Sequence, residues 1–117
     1  MIAEKTYRFS VRIVKLSQYL QQEHHEYVLS KQVLRSGTSI AANVVEAKQG
    51  QSRPDFSAKY SIALKEAAET EYWLRLLYDT GYLSDKGYKS IQNDCAEINR
   101  ILTAIVKSAK TNRKADS

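Results

Sequence analysis

The chain has little with which to break a helix: one proline and four glycines in 117 residues. An all-β fold needs turn residues at short, regular intervals, so this scarcity argues for helices joined by short turns. A single cysteine, Cys95, excludes an intrachain disulfide and fits a reducing compartment. No apolar run approaches the roughly 20 residues that span a bilayer. Nor does the N-terminus read as a secretory leader, because Glu4, Lys5, Arg8 and Arg12 punctuate it. A cytoplasmic protein without membrane contact is the expectation.

The chemistry of common active sites is equally scarce. A di-iron bundle takes Glu-x-x-His from two of its helices, and that motif is absent. The only histidines, His24 and His25, are adjacent in a polar segment, and on a helix they would point about 100° apart. Cys95 falls on an apolar seam, where a thiol is ordinarily a small hydrophobe. Neither a Gly-rich phosphate loop nor a zinc knuckle occurs. No catalytic residue, metal ligand or cofactor site is expected, and the chain reads as a non-enzyme.

Hydrophobic residues at 43% and charged residues at 26% are those of one ordinary globular domain. Residues 1–112 are expected to form it, with 113–117 as a polar, frayed tail. Four helices follow from the periodicity. The first, over 4–22, carries Phe9, Ile13, Leu16 and Leu20 on one face. The second starts near Tyr27 and carries Leu29, Val33, Ile40, Val44 and Ala47. Gly37 lies in its middle, at a cost of about 1 kcal/mol relative to alanine, which marks a tight crossing with a neighbour. Gly50 is expected to end it in a left-handed cap. Ser52 then caps the third helix, with Pro54 in the first turn and Asp55 completing a capping box. Its seam is Phe56, Tyr60, Ala63, Ala67, Thr70, Leu74 and Leu77. Gly81 ends it and Ser84 caps the fourth, whose seam is Tyr88, Ile91, Cys95, Ile98, Leu102, Ile105 and Ala109. Short connections imply an all-α, antiparallel up-and-down four-helix bundle.

The most informative stretch is 32–46, QVLRSGTSIAANVVE. Gln32, Arg35, Ser39, Asn43 and Glu46 recur at steps of three or four, a single polar stripe on a helix. Val33, Ile40 and Val44 form an apolar stripe beside it. On the third helix Ile62, Glu66, Glu69, Trp73 and Leu76 make a second line beside the seam. A structural network, inside the bundle or across a subunit interface, is the expected role of Gln32, Arg35, Ser39, Asn43, Glu46, Glu66 and Glu69; a functional pocket is the alternative.

These residues carry a resemblance. The patterns Q-x-x-R-S-x-x-S-I-x-x-N-x-x-E, S-x-x-D-F and I-A-L-K-E-A-x-E-T are similar to those of a bacterial four-helix-bundle family. It includes proteins encoded in the intervening sequences of 23S ribosomal RNA genes, and the accessory variability determinant of diversity-generating retroelements. The matching positions are Gln32, Arg35, Ser36, Ser39, Ile40, Asn43, Glu46, Ser52, Phe56, Ala63, Glu66, Glu69 and Thr70. The resemblance implies a homopentameric ring and no catalytic activity. On the retroelement branch it implies nucleic acid and a reverse transcriptase as partners.

A net charge of +5 and a pI near 9.3 make an anionic partner plausible. Arg8, Arg12 and Lys15 form a strip at helical spacing, and Lys107, Lys110, Arg113 and Lys114 cluster at the C-terminus. They read either as solvated faces and a helix end matched to its dipole, or as a phosphate-binding surface for RNA or DNA. Fivefold repetition would raise the charge of +5 to about +25 and add avidity. Tyr72 and Trp73 are either stacking platforms for bases or buried at an interface. Tyr7, Tyr19 and Tyr82 have no assignment. The leading expectation is an oligomeric scaffold or accessory protein that binds nucleic acid; the alternative is a protein-interaction module without such affinity.

Overall fold

The computed structural model describes residues 1–50 and 52–116, the side chains of 111–116 excepted. Four helices follow one another: α1 (Ile2–His24), α2 (Leu29–Lys48), α3 (Arg53–Asp79) and α4 (Asp85–Asp116). No strand occurs among the described residues. Each helix packs on its neighbours in chain order, and α1 meets α4 to close the four-helix arrangement, that last contact being the loosest. The body measures 52 × 22 × 22 Å. The expected boundary between a 1–112 domain and a 113–117 tail falls where side chains lie outside the described residues.

The caps explain where the helices stop. Ser52 Oγ accepts the Asp55 amide at 3.3 Å, with Pro54 in the first turn of α3. Ser84 Oγ accepts the Gly87 amide at 3.0 Å at the start of α4. Gly81, at φ 89°, turns the chain out of α3. The left-handed cap expected at Gly50 is absent. Instead α2 ends in tight turns, with the Gln49 and Gly50 amides on the Glu46 and Ala47 carbonyls. A left-handed residue does occur at His25 (φ 52°), where the Glu26 amide reaches back 3.0 Å to the Leu20 carbonyl. That closure is a Schellman-type end, and histidine is among the few non-glycine residues that adopt it readily. Beside it the His24 ring meets Tyr19 and Tyr82 edge-on, which gives those two tyrosines a place.

The core is one cluster drawn from all four helices: Phe9, Ile13, Leu16 and Leu20 face Val33, Ile40, Val44, Ala63, Ala67, Leu74, Leu77, Ile98 and Leu102, among others. The α1 stripe is buried as expected. Two seams drift from the expected heptad. On α3 Ser57 is buried and Phe56 exposed, and on α4 Val106 is buried where the heptad pattern puts Ile105. A straight helix of 3.6 residues per turn slips about 20° per heptad, so a long seam cannot keep strict seven-residue spacing. Tyr88 is half-buried and stacks on Tyr78, with ring centroids 4.4 Å apart.

Candidate functional site

The polar stripe of α2 runs along the α2–α3 groove, with Gln32, Arg35 and Glu46 exposed and Ser39 and Asn43 half-buried. Arg35, exposed at 49%, reaches across to Glu66 (17%) and Glu69 (34%). Its guanidinium is 3.3 Å from Glu66 Oε2, bonds Glu69 Oε2 directly, and touches Gln32 Oε1 at 3.4 Å. Trp73 Nε1–H donates to the same Glu69 oxygen at 2.9 Å. That indole bond, together with the Arg35 guanidinium, holds the Glu69 carboxyl below its usual range, against the opposing effect of burial. Tyr72 stands exposed next to it, edge-on to Trp73 at 5.0 Å.

The rest of the stripe does not join this cluster. Asn43 donates to the Ser39 carbonyl of its own helix at 2.8 Å, and both residues are half-buried. Glu46 pairs instead with Lys59 at 2.9 Å. Gln32, Arg35, Glu66 and Glu69 therefore form one group, completed by Trp73, and Glu46 belongs to another. Lys59, which completes that second group, carries no signal of its role in the sequence. Beneath them Thr70 donates to Ser36 Oγ at 2.9 Å, a fully buried link between α2 and α3. Buried hydroxyls need such partners, which accounts for two polar residues on otherwise apolar seams.

The basic strip of α1 is largely neutralised. Arg8 bonds Glu4 at 2.9 Å on its own helix. Arg12 reaches α4, 2.6 Å from Asp94 and 3.0 Å from Ser90 Oγ, and Lys5 pairs with Glu97 at 2.7 Å. Among the described residues, Lys15 alone of the three expected residues stays exposed without such a partner. At the other site Lys107 and Lys110 are exposed on α4, while Arg113 and Lys114 lie outside the residues whose side chains are described.

One consequence of those pairs is a basic outer face on α4. Asp94 and Glu97 are paired with Arg12 and Lys5 of α1, and the outer face of α4 beside them carries Lys89, Asn93, Arg100 and Lys107 at helical spacing, all exposed. Lys86 and Lys110 extend it at the two ends. Among the described residues no carboxylate pairs with Lys86, Lys89, Arg100 or Lys110. Sequence reasoning missed Lys86, Lys89 and Arg100 because Asp85, Asp94 and Glu97 make the segment read as mixed charge.

Cys95 is fully buried, with Sγ 3.6 Å from the Ala67 carbonyl, and burial drives its thiol far above the ordinary range. Its thiolate is therefore out of reach at neutral pH. No described helix is long and apolar enough to cross a membrane.

Four helices around a single core, with ion pairs and basic stripes on the outside, define an all-α bundle whose described charged groups are turned outward. The chain belongs to the family of 23S rRNA-intervening sequence proteins, whose pattern residues 1–104 match. A crystal structure from Bacteroides thetaiotaomicron, described as a protein with unknown function from the S23 ribosomal protein family, is 55% identical in sequence. The match covers 92% of this chain and 99% of that one, at a TM-score of 0.90. No curated protein matches the chain.

Proposed function

We propose that the protein is a non-enzymatic, cytoplasmic scaffold or accessory factor that assembles with itself and binds RNA or DNA through repeated basic surfaces. The observation that carries this reading is the outer face of α4, where cations are aligned and Asp94 and Glu97 are engaged with α1. Such a surface suits phosphate contacts, which give affinity without reading sequence. The bundle is taken as antiparallel, because partners between helices run in opposite order: Arg35 with Glu69 and Glu46 with Lys59, Lys5 with Glu97 and Arg12 with Asp94. The assembly is taken as a homopentamer, and a tie to the retroelement accessory proteins and a reverse transcriptase as part of the same proposal; both rest on the family resemblance of 32–70.

A second reading has its own support. The half-exposed Arg35–Glu69–Trp73 cluster, with Tyr72 beside it, has the aromatic and arginine character of a protein interface. A pure protein-interaction module would use this face and leave α4 idle.

Salt-titrated binding of the nuclease-treated protein to structured RNA, single-stranded DNA and duplex DNA separates the two, with mass in solution followed in the same buffers. Tight binding that falls steeply with salt supports the nucleic-acid scaffold. An intact oligomer that binds none of the three, even at low salt, leaves the interaction module.

A further inference from the structure

The longest helix, α4, carries a row along its outer face that repeats every seven residues: Lys86, Asn93, Arg100 and Lys107, all exposed, with Lys89 beside them. At 1.5 Å per residue, successive members stand about 10.5 Å apart and the row runs about 31 Å. Helical drift of about 20° per heptad turns it by only about 60° from end to end. Among the described residues no carboxylate pairs with Lys86, Lys89 or Arg100. Glu97, which borders the row, is held by Lys5 at 2.7 Å. The result is a nearly straight line of positive charge on a continuous helix.

What this face lacks decides the form of its ligand. Proteins that hold single strands combine cations with aromatic side chains on which successive bases stack. The one aromatic residue of α4, Tyr88, is half-buried and stacked on Tyr78 of α3. The exposed aromatic side chains among the described residues, Tyr7, Tyr19, Tyr27, Phe56 and Tyr72, all lie outside α4. Between the cations stand Ser90 and Ala104, which offer no ring to a base. Bases turned towards this face meet no aromatic platform, whereas phosphates meet cations along its whole length.

Two properties of a duplex then favour it over a single strand. A duplex carries one charge per about 1.7 Å of axis, against one per about 3.4 Å on a single strand, so the row lies along twice as many phosphates. It is also stiff, with a persistence length of about 150 base pairs, so its phosphates are already in place. A flexible strand must instead be ordered against fixed cations, with no stacking in return.

We infer that the ligand of the α4 row is a nucleic-acid duplex, gripped along its phosphate backbones without readout of base sequence. The inference rests on the nucleic-acid reading above and specifies the form of the ligand.

Fluorescence anisotropy tests it, with the nuclease-treated full chain titrated into an RNA duplex, a DNA duplex and the separate strands of each. Probes of about 20 base pairs are roughly twice as long as the row. Each duplex is expected to bind at least about tenfold tighter than either of its strands, and a second duplex of unrelated sequence to bind equally. Lys89→Ala and Arg100→Ala are expected to weaken duplex binding and to narrow the gap between duplex and strand, whereas Tyr72→Ala changes neither. If no probe binds, the nucleic-acid reading fails and takes this inference with it. If strands bind as tightly as duplexes, that reading stands and the duplex is overturned; loss of the strand binding in Tyr72→Ala would then place the site on α3. A duplex preference unmoved by both α4 substitutions overturns the assignment to the row. Strong preference for one duplex sequence overturns a grip by backbone alone. A difference between the RNA and DNA duplexes, each still tighter than its strands, supports the inference and tells the two sources apart.

Discussion

Gly37 faces Ile13 so closely that a β-carbon on it would lie 2.8 Å from both Cγ atoms of the isoleucine. Neither atom is the free end of a flexible chain; both branch from Cβ, and β-branched side chains are stiff at χ1. The mid-helix glycine thus marks where α1 and α2 approach most tightly. Gly37→Ala gains about 1 kcal/mol of helix propensity and meets an overpacking cost of about 1–3 kcal/mol. A net loss of up to about 2 kcal/mol is expected in urea unfolding. In an Ile13→Ala background the clash is gone, and the same substitution is expected to be neutral or stabilising. Equal losses in both backgrounds would mean that Ile13 is not what the glycine accommodates.

His25 and Leu20 offer the opposite case, a strained residue that glycine would relieve. The left-handed conformation costs a non-glycine residue about 1–2 kcal/mol, although histidine tolerates it better than most. His25→Gly is therefore expected to stabilise the fold by about 0.5–1 kcal/mol, since only backbone freedom opposes the gain. An increase in the unfolding midpoint checks this. A decrease would show that the ring's contact with Tyr27, at 3.5 Å, outweighs the backbone strain.

These two positions show what is legible in a sequence and what is not. The crossing at Gly37 follows from one misplaced glycine in an apolar helical pattern, and the caps at Ser52 and Ser84 from local spacing alone. His25 is not foreseeable, because its conformation depends on how α1 must turn to reach α2, and no residue type announces that. The slip from Phe56 to Ser57 and from Ile105 to Val106 has the same origin: local steps predict neighbours well, but helical drift accumulates over several turns. At the candidate site the pairing of Arg35 with Glu66 and Glu69 can be anticipated as a stripe facing a line of carboxylates. That Arg12 is neutralised cannot, because its partner Asp94 is 82 residues away.

Arg35 separates fold stability from assembly. Exposed ion pairs contribute roughly 0.2–1 kcal/mol, and Glu69 retains its Trp73 partner when the guanidinium is removed. Arg35→Ala is expected to leave the isolated bundle nearly as stable while weakening or scrambling the oligomer. Unchanged mass and unchanged stability together would remove the cluster from the assembly proposal.

Cys95 carries a pH signature. Burial, with Glu71 and Asp94 adding repulsion, raises its thiol in the folded protein, whereas an unfolded thiol titrates near about 8.5. The folded state holds the proton that the unfolded state releases, so this contribution is complete below that value and declines as pH rises beyond it. The limit is about 1.4 kcal/mol per pH unit, one proton's worth. Between about pH 8.5 and 10, where ionisation of the tyrosines is common to both proteins and cancels in the comparison, unfolding free energy is expected to fall more steeply in wild type than in Cys95→Ala. Thiol reagents should also leave the native protein unlabelled at about pH 9 and label it fully in denaturant. Rapid native labelling would mean that the α3–α4 seam opens far more often than its packing implies.

The paired and unpaired cations give the sharpest test of nucleic-acid binding, because both sets lie on the same protein and have the same charge. Arg12 is committed to Asp94 and Arg8 to Glu4, whereas Lys89 and Arg100 have no described carboxylate to satisfy. A cation already in an ion pair releases little on meeting a phosphate. Replacing it uncovers a carboxylate, so any loss is small and general. Arg100→Ala and Lys89→Ala are therefore expected to weaken binding more than Arg12→Ala. Each should also flatten the salt dependence by about 0.9 in log–log slope on duplex, and about 0.7 on single strands, for every phosphate no longer neutralised. Charge reversal at Lys110, Arg113 and Lys114 extends the comparison to the C-terminus. If Arg12→Ala weakens binding as much as Arg100→Ala, with the same change of slope, the phosphate path runs along α1 and its ion pairs must open on binding. If none of these substitutions changes affinity or slope, the basic outer face of α4 has no part in binding, and the protein-interaction reading takes its place.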